Sequence, residues 1–283
     1  MRRALAAAAL LLGFPAPTIA AAPAVPKLTH VVVVVFENKE SADVIGNPDA
    51  PAFNAVAAHG AIVTDYTGVS HPSLPNYLAL VSGSTHGIVT DCRECVVNAP
   101  SLADTLAARG RTWKTYAEGL PSVGFTGADV GTYTKKHNPF TYFPRVTSNP
   151  ARLRDIVPYT QFARDVRARK LPSFSLVVPD LCNDMHDCPV ATGDAWLKRN
   201  IVPLLSSRAL AGGAVFVVFD EGTTLVGGGG HVAAIAAGPR VRPGARFTAH
   251  TNHYGLLRTV ESALGLPLLG RSATATPITG IWK

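Results

Sequence analysis

His30-Val31-Val32-Val33-Val34-Val35-Phe36-Glu37-Asn38 is the stretch on which the reading of this 283-residue chain turns. Five consecutive valines in an almost wholly apolar run, with no polar alternation, suit a strand covered on both faces, as in a parallel sheet. The run stops at an acid and an amide. Two similar runs follow, Phe174 to Val178 and Ala214 to Phe219, and Val232 to Ala237 reads as one more strand. Helical segments lie between them. Ser101-Leu-Ala-Asp104 opens one as a capping-box variant that Gly110 stops, while Asp194 to Leu205 and His253 to Leu264 have amphipathic spacing, the latter closed by Gly265. Strands alternating with helices imply an α/β fold with a doubly wound, mostly parallel sheet flanked by helices.

Working outward, the N-terminus carries Arg2 and Arg3, an apolar run to Leu12 and small residues around Ala20 to Ala22, the three-part pattern of a cleaved secretory signal over residues 1–22. The apolar core is too short to span a bilayer and is broken by Gly13, Pro15 and Pro17, so no transmembrane anchor is expected. Residues 23–283 contain no Ser/Gly-rich or charged linker and read as a single domain, secreted or periplasmic. The net charge of +7 includes Arg2 and Arg3. The remainder forms no dense basic cluster, so nucleic acid is not an expected partner. Oligomeric state leaves no signal. Four cysteines fall in two close pairs, Cys92/Cys95 and Cys182/Cys188, for which two local disulfides are the first expectation in an oxidising compartment. A four-thiolate zinc site and crossed pairings are the alternatives.

In an open parallel sheet the ligand site lies beyond the carboxyl ends of the strands. Here those ends are acidic: Glu37-Asn38, Asp180 after Pro179, and Asp220-Glu221. Adjacent carboxylates repel, so they take up protons or share a cation. Asp180 to Asp187 adds Asp184, Asp187 and His186 within eight residues, so the candidate metals are Mg, Ca or Mn on the oxygen ligands, or Zn where histidine takes part. A solvated turn held by a Cys182/Cys188 bridge is the alternative for that segment.

Ser73, in Ser70-His71-Pro72-Ser73-Leu74-Pro75-Asn76-Tyr77, stands where a helix N-cap belongs. Capping alone accounts for such a serine. The same position also offers backbone N–H groups and the positive helix end to a phosphate, and a serine oxygen beside a divalent cation can attack it. Asn76 sits one turn on, where its amide reaches a phosphate oxygen. His71, His137, His231 and His253 lie in polar, glycine-rich or loop contexts that suit the rim of a site, and Gly227 to Gly230 would let backbone approach a ligand closely. The stretch Glu118 to Pro158, rich in Pro, Gly, Asn and Thr, reads as an excursion over that edge.

Taken together and in order, Phe36-Glu37-Asn38-Lys39-Glu40, Ser70 to Tyr77, Lys136-His137-Asn138-Pro139-Phe140, Asn183 to Asp187 and Phe219-Asp220-Glu221-Gly222 resemble the bacterial phosphoesterase family that contains acid phosphatases and phosphatidylcholine-type phospholipases C. The Ser73 segment, with Gly83 and His86-Gly87-Ile88, is also similar to the nucleophile helix of nucleotide pyrophosphatases in the wider alkaline phosphatase superfamily, where a threonine stands in place of Ser73. The resemblance implies an alkaline-phosphatase-like fold. It implies Ser73 as nucleophile, Asn38 beside the phosphate, metal ligands Glu37, Asp180, Asp184, Asp220 and Glu221, and an imidazole from His231 or His253. The superfamily often has Asp-His where this chain has Asp220-Glu221, and a histidine at Asp184, so the expected site is richer in oxygen than a two-zinc arrangement. Lys39 to Gly46 resembles the acid phosphatase branch. The expectation is hydrolysis of a small-molecule phosphomonoester through a phosphoseryl intermediate. A phosphodiesterase or phospholipase C on the same scaffold is the alternative, and a non-catalytic phosphate receptor a more distant one.

Overall fold

The computed structural model describes residues 25–283, and the leader expected at 1–22 lies outside them. Among the described residues ten strands form in chain order. They are β1 (Val31–Phe36), β2 (Ala61–Val63), β3 (Tyr66–Thr67), β4 (Trp113–Ala117) and β5 (Ile156–Pro158), then β6 (Phe174–Val178), β7 (Ala214–Phe219), β8 (Ala234–Ala237), β9 (Ala245–Phe247) and β10 (Thr251–Asn252). Eight of them make one sheet in the order β5-β4-β6-β1-β7-β8-β2-β9, and β10 pairs with β3 beside it. The valine run is central. Its six residues are all buried, and it runs parallel to β6 on one side and β7 on the other, with Val33 opposite both Leu176 and Phe216.

The expected boundaries hold for β6 and β7, and for the helix His253–Leu264, capped by Asn252 and ended by Gly265 in the left-handed conformation. Ser101 and Asp104 form the capping box of the helix Leu102–Ala108. Two expectations are corrected. The helix expected over Asp194 to Leu205 starts earlier and splits into Val190–Asn200 and Val202–Leu205, because Pro203 supplies no amide and its ring clashes with the carbonyl four residues back. Val232 to Ala237 shortens to β8, which runs antiparallel to both β7 and β2. The connection from Phe219 holds only a 3-10 turn at Val226–Gly228, and without a helical crossover the chain returns in the opposite sense.

The excursion after β4 folds into short turns, Lys135–His137 and Pro139–Tyr142 among them, before closing as β5. It carries His137 and Asn138 into full burial. Both local disulfides are formed, Cys92–Cys95 and Cys182–Cys188. The helix Ser73–Ser82 packs against His253–Leu264 with all ten of its residues buried.

Candidate active site

Because β1, β6 and β7 are parallel neighbours, their acidic ends come out at one edge. The turn after β6 is stitched to β1 by a backbone bond from Glu37 N–H to the Asp184 carbonyl (2.8 Å), and Asp220 N–H donates to the Phe36 carbonyl (2.9 Å). These bonds gather Glu37, Asp184, Asp220 and Glu221, all buried.

Ser73 is the first residue of its helix, not the cap. Pro72 holds the cap position and offers no side-chain acceptor. The hydroxyl is therefore free for another use: Oγ lies 2.9 Å from Glu37 Oε2 and 3.3 Å from Glu221 Oε1. Tyr77, one turn later on the same helix face, donates its hydroxyl to Glu37 Oε1. His71 Nδ1 lies 2.5 Å from Glu221 Oε2, and its Nε2 donates to the Thr224 carbonyl at 2.8 Å. A carbonyl only accepts, so Nε2 carries a proton and Nδ1 is the nitrogen that faces Glu221, whose Oε2 has no hydrogen-bond partner among the described residues.

On the far side of Glu37 stands His137, stacked on Tyr77 with ring centroids 5.1 Å apart. Its Nε2 lies 3.3 Å from Glu37 Oε1 and its Nδ1 3.2 Å from Asp184 Oδ2. Neither contact has hydrogen-bond geometry: both ring nitrogens, with Asp184 Oδ2 and Asp220 Oδ2, are buried without a partner among the described residues. Orphaned polar atoms of this kind are costly unless something else binds them. Glu37, His137 and Asp184 each offer a ligand atom, all within 4.8 Å of one another, and form a group able to hold a metal ion. One nitrogen and two carboxylates fit Mn, Zn or Fe, and with added water Mg.

The electrostatics agree. Burial raises the Asp184 carboxyl to about 6, against the pull of His137. Burial raises Glu221 to about 7 despite His71. Asp220 is pushed well above its ordinary range by burial and then by the charges of Glu37 and Glu221. Glu37 goes the other way, to about 2: burial opposes ionisation, but the His137 charge and the donors around it outweigh burial. His137 is raised to about 9, since Glu37 and Asp184 overcome its own burial. Without a cation the cluster thus stores protons, and a divalent ion would replace them.

Four sequence-derived assignments land elsewhere. Asp180 is a turn former, its Oδ1 accepting from the amides of Cys182 and Asn183 and its Oδ2 from Thr132 Oγ1. Asn76 engages its whole amide in the preceding loop, accepting from the amides of Val69 and Ser70 and donating to the carbonyls of Ser70 and Pro72, so it positions Ser73's approach and has no N–H left for a phosphate. His253 is buried between the Tyr66 hydroxyl (2.8 Å) and the Asp220 carbonyl, and burial lowers it to about 4, so its neutral ring braces the end of β7. His231 Nε2 donates to the Thr64 carbonyl at 3.0 Å. The glycines before His231 serve packing: a Cβ on Gly229 would sit 2.7 Å from the Ser70 carbonyl oxygen. Asn38 does reach the site. It adopts φ 56°, its N–H points at Asp220 Oδ1 (3.4 Å), and its side chain makes no hydrogen bond among the described residues. Tyr77 was overlooked in the sequence, although its i+4 spacing from Ser73 is a usable signal.

A profile of the Phosphoesterase family matches residues 46–267, a span holding every residue of the site except Glu37 and Asn38. The phosphatidylinositol-3-phosphatase of Mycobacterium tuberculosis is 38% identical over 267 residues, covering 93% of this chain and 85% of that protein. An acid phosphatase of Aspergillus fumigatus is 33% identical over 76% of this chain. The phosphate-repressible acid phosphatase of Penicillium chrysogenum is 31% identical over 76%. The chain spans about half the length of these fungal relatives, 51% and 55%. Among solved structures, an alkaline phosphatase superfamily protein from Vibrio parahaemolyticus superposes with TM-score 0.58 at 16% identity, over 89% of this chain and 72% of that one. Human ectonucleotide pyrophosphatase/phosphodiesterase 5 gives 0.58 at 14%, over 89% and 100%. At such identities these two speak for the fold alone.

Proposed function

The chain belongs to the phosphoesterase family and is a hydrolase of phosphoester bonds, and from that premise we propose that it is an exported, single-domain phosphomonoesterase in which Ser73 is the nucleophile. One observation carries the reading: a buried serine that opens a helix, freed from capping, directs its hydroxyl at carboxylates from two different strands, Glu37 and Glu221. Ser73 Oγ attacks phosphorus in line with the ester oxygen. The Oγ–P bond forms, the P–O ester bond breaks, and the serine proton passes to Glu221, whose Oε2 lies 2.5 Å from His71 Nδ1 on the more exposed side. That pair returns a proton to the departing alkoxide. Water then opens the phosphoseryl ester by the reverse proton path, with the helix N-terminus stabilising the charge on phosphorus in both steps.

Glu37, His137 and Asp184 would hold a divalent cation, which would neutralise the buried carboxylates and favour an ionised serine oxygen. The relatives' names, two acid phosphatases and a phosphatidylinositol-3-phosphatase, support a monoester over a diester. Export is supported by the leader pattern and by the two disulfides. The test is hydrolysis of p-nitrophenyl phosphate and its bis-ester by wild type and Ser73→Ala, after chelation and after single metals are restored. Ser73-dependent, metal-restored turnover of the monoester is the expected result. Full activity of Ser73→Ala would remove the nucleophile assignment, and preference for the bis-ester would move the protein to the diesterases.

A further inference from the structure

The first turn of the Ser73 helix already holds an anion supplied by the chain itself. Asp91, just before the Cys92–Cys95 bridge, places Oδ1 2.9 Å from the Leu74 N–H, the backbone donor next to the nucleophile. Its Oδ2 lies 3.0 Å from Lys136 Nζ. Asp91 is a quarter exposed and Lys136 about an eighth, so the carboxylate is the more accessible member of the pair. Lys136 in turn donates to His186 Nε2 at 3.1 Å, and His186 Nδ1 is held by Asp187 at 2.6 Å. An ammonium carries three N–H donors, and among the described residues two of these are engaged. Lys136 is also the residue before His137, so the turn that seats His137 beside Glu37 fixes the lysine stem as well.

A carboxylate spanning a helix-terminal N–H and a lysine ammonium copies how two oxygens of a phosphoryl group are held. A substrate phosphoryl brought to Ser73 meets Asp91 on the same donors, and like charges at that distance repel. One of the two must leave.

We infer that Asp91 is a built-in occupant of the phosphate position, and that Lys136 is the cationic side chain that passes from Asp91 to the substrate's phosphoryl oxygens when Asp91 is displaced. The inference rests on the proposed role of Ser73. It gives the pair opposite effects on anion affinity: Asp91 weakens binding of every phosphate, product included, and Lys136 strengthens it. An enzyme so arranged releases inorganic phosphate readily.

A remote helix cap is the competing role for Asp91, and the isosteric amide separates the two. Asp91→Asn keeps an acceptor for the Leu74 N–H but removes the charge. The experiment measures competitive inhibition of p-nitrophenyl phosphate hydrolysis by inorganic phosphate in wild type, Asp91→Asn and Lys136→Met. Titration calorimetry of inorganic phosphate into Ser73→Ala, with and without Asp91→Asn, needs no turnover and therefore reads the inference even if the nucleophile assignment fails. Expected are an inhibition constant lowered about tenfold by Asp91→Asn and raised about tenfold by Lys136→Met, with Lys136→Arg recovering most of the loss, as charge pairing over short distances at a half-buried site requires. An unchanged phosphate affinity in Asp91→Asn, in both the kinetic and the calorimetric arm, would overturn the inference and leave Asp91 a cap. Loss of turnover in Lys136→Met at unchanged phosphate affinity would overturn the role given to the lysine.

Discussion

Two buried glutamates, Glu37 and Glu261, are equally hidden from solvent and yet behave as opposites. Glu261, on the helix His253–Leu264, accepts from the Leu269 amide with Oε1 (2.8 Å) and from Ser272 Oγ with Oε2 (2.6 Å). Both oxygens are satisfied by neutral donors, and burial raises its carboxyl to about 7. It ties the turn at Gly270–Ala273 to the helix, and neither of its oxygens is orphaned among the described residues. Glu37 also has both oxygens bonded, by Ser73 and Tyr77, yet it stands among three other buried carboxylates, each with an oxygen that has no partner, and a histidine whose two nitrogens have none among the described residues. Buried acids with complete hydrogen bonding hold a fold together. Buried acids that leave one another incomplete are held together by the fold, and that is the mark of a site built to bind something else.

The contrast can be broken in order of size. Ser73→Ala should lower kcat by at least about 10⁴-fold with the melting temperature kept within a few degrees, as loss of a nucleophile does. Glu37→Gln should lower kcat/KM by roughly 10²- to 10³-fold and weaken metal affinity in a competition with a chelating dye, since it removes a charged ligand. The same isosteric change at the other glutamate, Glu261→Gln, should leave kcat unchanged, because the amide still accepts from Leu269 and can donate to Ser272. Equal loss at the two positions would erase the distinction. Glu261→Ala should cost about 1–3 kcal/mol in urea unfolding by stranding the buried Ser272 hydroxyl, while the Leu269 amide keeps Ser272 Oγ as an acceptor.

A pH experiment separates the two groups again. Asp184, Glu221 and Glu261 have folded values of about 6, 7 and 7, above those of an unfolded carboxyl. The native state therefore binds more protons, and this contribution is fully present below the ordinary carboxyl range and lost as pH rises through 6 to 7. The metal-free protein should lose melting temperature across that window. Saturating divalent cation should flatten the part owed to Asp184, and Glu261→Gln should remove the part owed to Glu261. A slope unaffected by the cation would argue that Asp184 is not one of its ligands. The smallest effect is expected from His231→Gln, which should change kcat/KM by less than about threefold, since its ring only braces Thr64.

The parts of this picture legible in the sequence are those in which local pattern and burial agree. The valine run, β6, β7 and the His253 helix announced themselves by composition and caps, and the acidic strand ends followed from parallel topology. Residues whose meaning depends on long-range neighbours were not readable in this way. Asp180 and Asp184 lie four residues apart in one acidic loop, but only Asp184 is drawn to the site, by the backbone bond to Glu37. Asn76 and His253 have the right chemistry for a phosphate, but the amide of Asn76 is taken by nearby main-chain groups and the ring of His253 by the distant Tyr66 hydroxyl and Asp220 carbonyl. His137 sits in an irregular stretch with no periodicity, and its pairing with both Glu37 and Asp184 is a property of the folded excursion alone.

The helix that carries Ser73 has no face turned to water. Gly83 at its end lies so close to the Leu269 carbonyl that a Cβ there would come within 2.0 Å of the oxygen. Evolution and the protein engineer thus inherit the same division of labour. The reactive serine is part of the interior and tolerates little variation, whereas the exposed positions of the neighbouring loops, such as Val89, Val96, Val123 and Val130, are cheap to rewrite as long as Asp91 and the Cys92–Cys95 bridge are kept. New substrate preferences should be sought by diversifying those loops around an untouched helix, and libraries aimed at the helix itself should return mostly unfolded protein.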